Sequence, residues 1–169
     1  MTKIIITIIT SVILISVTIG FVLGNPSAFA EEGFKTQLDG FHEAPAISST
    51  GSGTFTAVLS KDETTITYEL SYTGLEGTIT AAAHIHLGQL NVNGGVSAFL
   101  CGGGGKPACS ATSGTVTGTI TAADVIGPTA QGIAAGELSE LVTALRAGVT
   151  YVNVHTEKHP GGEIRGQIK

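Results

Sequence analysis

Thr65-Ile66-Thr67-Tyr68-Glu69-Leu70-Ser71-Tyr72 alternates without a break, placing Ile66, Tyr68, Leu70 and Tyr72 on one face and Thr65, Thr67, Glu69 and Ser71 on the other. A period of two residues is that of a β-strand with one buried face. The same alternation recurs upstream at Phe34, Thr36 and Leu38 and at Phe55, Ala57 and Leu59, and downstream at Val116, Gly118 and Ile120. Further strands are predicted at Thr78–Leu87, Val96–Leu100, Tyr151–Thr156 and Glu163–Ile168. Between them lie turn signals: Gly40–Ser52, Lys61-Asp62-Glu63, Asn91-Val92-Asn93-Gly94-Gly95 and His159-Pro160-Gly161-Gly162. One short helix is predicted at Glu137–Ala147, where Leu138, Leu141, Val142 and Leu145 fall at i, i+3, i+4 and i+7 and Gly148 follows. The predicted class is all-β, an antiparallel Greek-key β-sandwich of immunoglobulin-like or superoxide-dismutase-like form.

Lys3, the apolar run Ile4–Leu23 and Ala28-Phe29-Ala30 have the order of a secretory signal peptide's charged, hydrophobic and cleavage regions. Residues 1–30 are therefore read as a signal peptide, and residues 31–169 as one domain of ordinary size. The apolar run is also about 20 residues long, enough to span a bilayer, so an uncleaved anchor is the rival reading. Either way the domain is expected outside the cytoplasm, secreted or tethered to a membrane through its N-terminal segment alone. All thirteen carboxylates but only seven of the eight basic residues lie beyond residue 30. That dispersed negative charge argues against nucleic acid and against an anionic membrane surface as partners.

Cys101 and Cys109 flank Gly102-Gly103-Gly104-Gly105-Lys106-Pro107-Ala108. In an exported chain this spacing favours a local disulfide over a redox couple or thiolate metal ligands. Pro107 after Lys106 removes any likeness to a phosphate-binding loop. No nucleophile motif is present, neither cysteine has a histidine near it in sequence, and no catalytic residue is assigned.

Four of the five histidines lie in Ala83-His84-Ile85-His86-Leu87-Gly88 and in Tyr151-Val152-Asn153-Val154-His155-Thr156 with the following His159. Strand phasing turns His84, His86, Tyr151, Asn153, His155, Glu163, Arg165 and Gln167 away from the apolar side. If these strands are neighbours, the polar side chains converge. A His-x-His pair with a third histidine from another strand is a recurrent copper or zinc site, since imidazole suits both metals and alternate residues share a face. The predicted ligands are His84, His86, His155 and His159, with Glu163, His42 or water as other candidates for the fourth position. Asn153, Glu163 and Arg165 would support them. The competing reading is a structural or partner-binding polar network with no metal, the histidines bonding to Glu163 or to backbone carbonyls. His42, alone in Gly40-Phe41-His42-Glu43-Ala44-Pro45, reads as a surface loop residue.

Leu38-Asp39-Gly40 with Glu43 and Pro45, Gly51–Leu59, Ala83–Gly88, Asn93-Gly94, Leu141–Gly148, and Tyr151–Thr156 through His159–Gln167 together resemble the CHRD domain. That domain was first described in chordin, an extracellular antagonist of bone morphogenetic proteins, and occurs widely in exported microbial proteins. The resemblance covers nearly all of residues 31–169 and implies a secreted β-sandwich with no settled activity. His42-Glu43-Ala44-Pro45 departs from the usual motif at that point, and the Cys101–Cys109 loop is an individual insertion. A lone domain gives no reason to expect growth-factor binding. A looser analogy is to copper-zinc superoxide dismutase: His84 and His86 match its His-x-His strand and His155 a later ligand, but its bridging histidine and zinc-binding aspartate have no counterpart. Three functions follow as expectations. The first is an exported, non-enzymatic module for an unidentified protein or cell-surface partner, with or without one copper or zinc ion. The others are a mononuclear copper oxidoreductase, in which Arg165 attracts an anionic substrate, and a structural envelope protein.

Overall fold

A computed structural model describes residues 31–77 and 82–169. The expected signal peptide or anchor, and the start of the strand expected at Thr78–Leu87, lie outside the described residues. Among the described residues eight strands form: β1 (Glu32–Asp39), β2 (Ser52–Leu59), β3 (Ile66–Thr73), β4 (Ala83–Leu87), β5 (Gly95–Cys101), β6 (Gly114–Ile120), β7 (Thr150–Val154) and β8 (Ile164–Gln167). All pair antiparallel in one sheet of order β5-β4-β7-β8-β1-β2-β3-β6. The all-β antiparallel class is as expected, in the form of one sheet wrapped around its core until the ends nearly meet. Beyond β6, the bridge Ala98↔Val125 and the bond from Ile126 N–H to Ser97 O (2.9 Å) join that segment to edge strand β5.

Alternation decides what fills the interior. Phe34, Leu38, Phe55, Leu59, Ile66, Leu70, Ile85, Leu100, Val152, Val154, Ile164 and Ile168 are all buried in one cluster. The opening strand contributes as its phase predicts: Ile66, Tyr68, Leu70 and Tyr72 are buried while Thr67 and Glu69 are exposed. Buried tyrosines need partners for their hydroxyls. Tyr68 donates to Leu100 O on β5 (2.6 Å) and Tyr72 to Ser110 O (2.8 Å), stitching opposite walls together.

The helix α1 (Leu138–Arg146) adds Leu138, Leu141, Val142 and Leu145 to the same core. It ends at Gly148, whose φ of +66° suits glycine, and Val149 N–H returns to Ala144 O (3.1 Å). Cys101 and Cys109 form the disulfide expected of them. Their loop reverses with Gly102, Gly104 and Gly105 at φ of +78°, +56° and +75°, conformations that explain its glycine run. Lys106, which reads in sequence as loop punctuation, pairs with Asp124 (2.7 Å) and donates to Thr119 O (2.6 Å).

Candidate metal site

Strands β4, β7 and β8 are neighbours, so the polar residues phased away from the core do converge. Phe99, His84, Asn153, Arg165 and Asp39 are successive cross-strand partners from β5 to β1. His86, Tyr151 and Gln167 form the adjoining row. The phase holds, but this outer face is buried. His84 and His86 are each 7% exposed, His155 9%, Asn153 2% and Arg165 1%. Loops cover it. Asn153 donates to the carboxylate of buried Glu43 in the β1–β2 loop, and Asn93 of the β4–β5 turn donates to Ala44 O (2.9 Å) in that same loop. Alternation specifies which side a residue faces, not what folds over it.

His84, His86 and His155 each bring one ring nitrogen into a group whose members all lie within 4.8 Å of one another. The rings meet at angles rather than stacking, His84 lying 5.0 Å from His155 and 5.3 Å from His86 between centroids. Two of them are oriented from behind. His86 Nδ1 bonds Gly94 O and His155 Nδ1 bonds Pro160 O, both at 3.0 Å. A carbonyl only accepts, so each Nδ1 carries the proton and each Nε2 keeps a free lone pair. Those Nε2 atoms, and Nδ1 of His84, are buried without a hydrogen-bond partner among the described residues.

Burial also keeps the rings neutral. Loss of solvation, then the neighbouring histidines His155 and His86, push His84 down to about 3. His86 is pushed to about 4 mainly by burial, against the opposing bond to Gly94 O, and His155 is lowered by burial as well. Neutral imidazoles with inward lone pairs are the form that ligates copper or zinc. Around a tetrahedral ion with bonds of about 2.0–2.1 Å the nitrogens would lie about 3.3–3.4 Å apart. The group's outer limit of 4.8 Å is wider than that by roughly 1.4 Å, so the rings would have to close inward on an ion.

The other expected residues fall in different places. His159 is outside the group: it sits in the β7–β8 turn, where strand alternation no longer sets direction, and its Nε2 is buried without a partner. His42 is half exposed and pairs with Asp39 (2.7 Å), the surface residue expected. Glu163 touches none of the three histidines through a hydrogen bond. Its buried carboxylate accepts from Ser49 Oγ (2.6 Å), Thr156 Oγ1 (2.6 Å) and Glu76 N–H (2.8 Å), pinning two loops to the start of β8. Glu163→Ala should therefore cost about 2–3 kcal/mol in urea unfolding by stranding those donors, and Glu163→Gln clearly less. Equal losses for both variants would mean that the charge, not the bonds, matters.

Arg165 is likewise committed. It donates to Gln89 O (3.1 Å), Val92 O (2.9 Å) and Asn93 Oδ1 (3.2 Å), and its guanidinium lies 3.4 Å from the Tyr151 ring centroid. Tyr151 stacks on His86 at 4.7 Å, so Arg165 stiffens the wall of the site instead of facing an incoming anion. Sequence reasoning left Glu43 and Phe99 out of the site. Burial raises the Glu43 carboxyl to about 7 against the pull of Arg165 and Asn153, and Phe99 packs edge-on against His84 at 4.6 Å. The only signals for them were the Gly40–Pro45 motif and the position of Phe99 on the strand beside β4.

A single curled antiparallel sheet, with a polar pocket sealed by loops on its outer face, defines the structural class. The CHRD domain profile matches residues 34–168, and the chain belongs to the CHRD domain family. No curated protein and no solved structure matches the chain. Among the described residues no helix is long and apolar enough to cross a membrane.

Proposed function

We propose that this chain is an exported CHRD-domain binding module that holds one copper or zinc ion through His84, His86 and His155. The observation carrying this reading is the convergence of three buried histidines, each with a buried ring nitrogen lacking a hydrogen-bond partner among the described residues, two of the rings being oriented by bonds from Nδ1–H to backbone carbonyls. Second-sphere bonds of this kind fix the tautomer and raise ligand basicity. In a purely structural role each stranded nitrogen would cost about 1–3 kcal/mol with nothing in return. The Cys101–Cys109 disulfide and the signal-like residues 1–30 support an oxidising, extracytoplasmic setting. The mononuclear copper oxidoreductase has less support, because Arg165 is buried and three of its five donors are already committed to the β4–β5 turn.

The test is metal analysis of protein purified without a histidine tag and reconstituted with copper or zinc. Wild type should retain about one equivalent and His84→Ala/His86→Ala almost none, since one remaining imidazole cannot hold the ion. A wild type that retains neither metal would overturn the reading.

A further inference from the structure

The disulfide loop lies against the histidine pocket. Cys101 is the cross-strand partner of Ala83, and two residues earlier Phe99 packs against His84 in a T-shaped pair. The backbone of Gly103 and Gly104 runs along the Phe99 ring so closely that a methyl group on either would collide with it. Gly102 rests on Ala82, whose carbonyl accepts the His155 N–H (3.2 Å). The loop is tightened by Gly102 N–H to Pro107 O (2.8 Å) and Lys106 N–H to Gly103 O (2.9 Å). The Cys101–Cys109 bond closes it.

We propose that the Cys101–Cys109 loop is the clasp of the histidine pocket, pressing Phe99 onto His84 while the disulfide is intact and releasing it when the disulfide is reduced. Phe99 is thus a positioning residue for the site. The proposal rests on the metal-binding reading for its consequence, slow release of the ion in the oxidised protein, but not for the clasp itself. Opening is a two-electron step. A dithiol reductant attacks the S–S bond, ends as its own disulfide, and leaves Cys101 and Cys109 as thiols carrying its two protons. The freed loop retains the tie of Lys106 to Asp124, and Cys101 stays paired in β5, so the loop swings from its Cys109 end.

Two readouts on the full chain test this. In metal-free protein, acylation of His84 by diethyl pyrocarbonate, followed by mass spectrometry, reports access to the pocket. In zinc-loaded protein, transfer of zinc to a chromophoric chelator reports release. A water-soluble phosphine, which takes oxygen from water as it reduces the disulfide to two thiols, avoids adding a competing thiol. Reduction should speed both rates about tenfold or more, the equivalent of roughly 1.4 kcal/mol, and Cys101→Ser/Cys109→Ser should match the reduced wild type. Phe99→Ala should be fast while oxidised and gain little on reduction. Gly103→Ala, whose methyl displaces the ring with the disulfide intact, should change both rates as well and decides the matter if reduction unfolds the domain. Equal rates for oxidised and reduced folded protein, an unchanged rate in Gly103→Ala, or full acceleration of Phe99→Ala by reduction would each overturn the clasp. If no form holds zinc, the metal reading fails while the acylation rates still decide whether the clasp exists.

Discussion

Arg165→Met should lower the free energy of unfolding by about 3–4 kcal/mol, the range expected when one partner of a buried charged network is removed. Methionine nearly fills the space but donates nothing. Gln89 O, Val92 O and Asn93 Oδ1 lose their donor together, and all three belong to the β4–β5 turn that covers the site. The same substitution removes the cation that opposes the burial of Glu43, so that carboxyl will hold its proton to higher pH than about 7. Arg165→Lys should rescue little. An ammonium cannot lie flat on Tyr151 while reaching two carbonyls and an amide, as the planar guanidinium does. Urea unfolding of the three proteins measures the effect. A loss below about 1 kcal/mol for Arg165→Met would place the turn's stability elsewhere.

The strands and the helix were legible because each one pairs an unbroken period with clear punctuation. Ile66–Tyr72 has no competing pattern, and Leu138–Leu145 has only the helical one. Which strands become neighbours was not legible. β8 lies between β7 and β1, so residues more than a hundred positions apart in sequence, Asp39 and Arg165, become direct partners. Nothing local encodes that pairing. The interior bond from Tyr68 to Leu100 O shows the same limit, since a tyrosine's need for an acceptor is readable but its identity is not.

For the site, phase placed His84, His86 and His155 on a common face, and the structure brings them together there. His159 did not join them because it left the strand before its direction was set. Glu163 was expected beside the histidines on the same argument, yet its oxygens turn to Ser49, Thr156 and the Glu76 amide. Those donors come from loops, whose paths alternation does not constrain. Glu43 entered the site for the converse reason, being carried in by a loop pinned through Asn93 and Ala44.

Metal-free protein should lose stability steeply on acidification from about pH 6.5 to about pH 4.5. In the unfolded chain each histidine takes up a proton near 6.5, whereas the folded pocket holds His84 to about 3, His86 to about 4 and His155 below its ordinary value. Groups with depressed folded values contribute stability that is present above the unfolded value and lost as pH falls toward the folded one. Glu43 acts in the opposite sense. Its carboxyl titrates near 7 when folded and near 4.5 when not, so its contribution is present below 4.5 and fades as pH rises through 7. Within the window the unfolded chain gains two protons at His84 and His86 against one at Glu43 for the folded protein, and His155 adds in the same direction, so the histidines win. A net proton over two pH units amounts to about 2–3 kcal/mol. Asp62, Glu63, Glu76 and Asp124, all lowered by their partners, add their losses mainly at the acid end of this range and below it. Glu43→Gln removes the opposing titration and should make the acid loss steeper while leaving its direction unchanged. Urea midpoints in the presence of a chelator at pH 7.5, 6.0 and 5.0 would measure both. A flat profile across these values would mean that the three rings are solvated well enough to accept protons in place, and that the pocket does not hold them neutral for a metal.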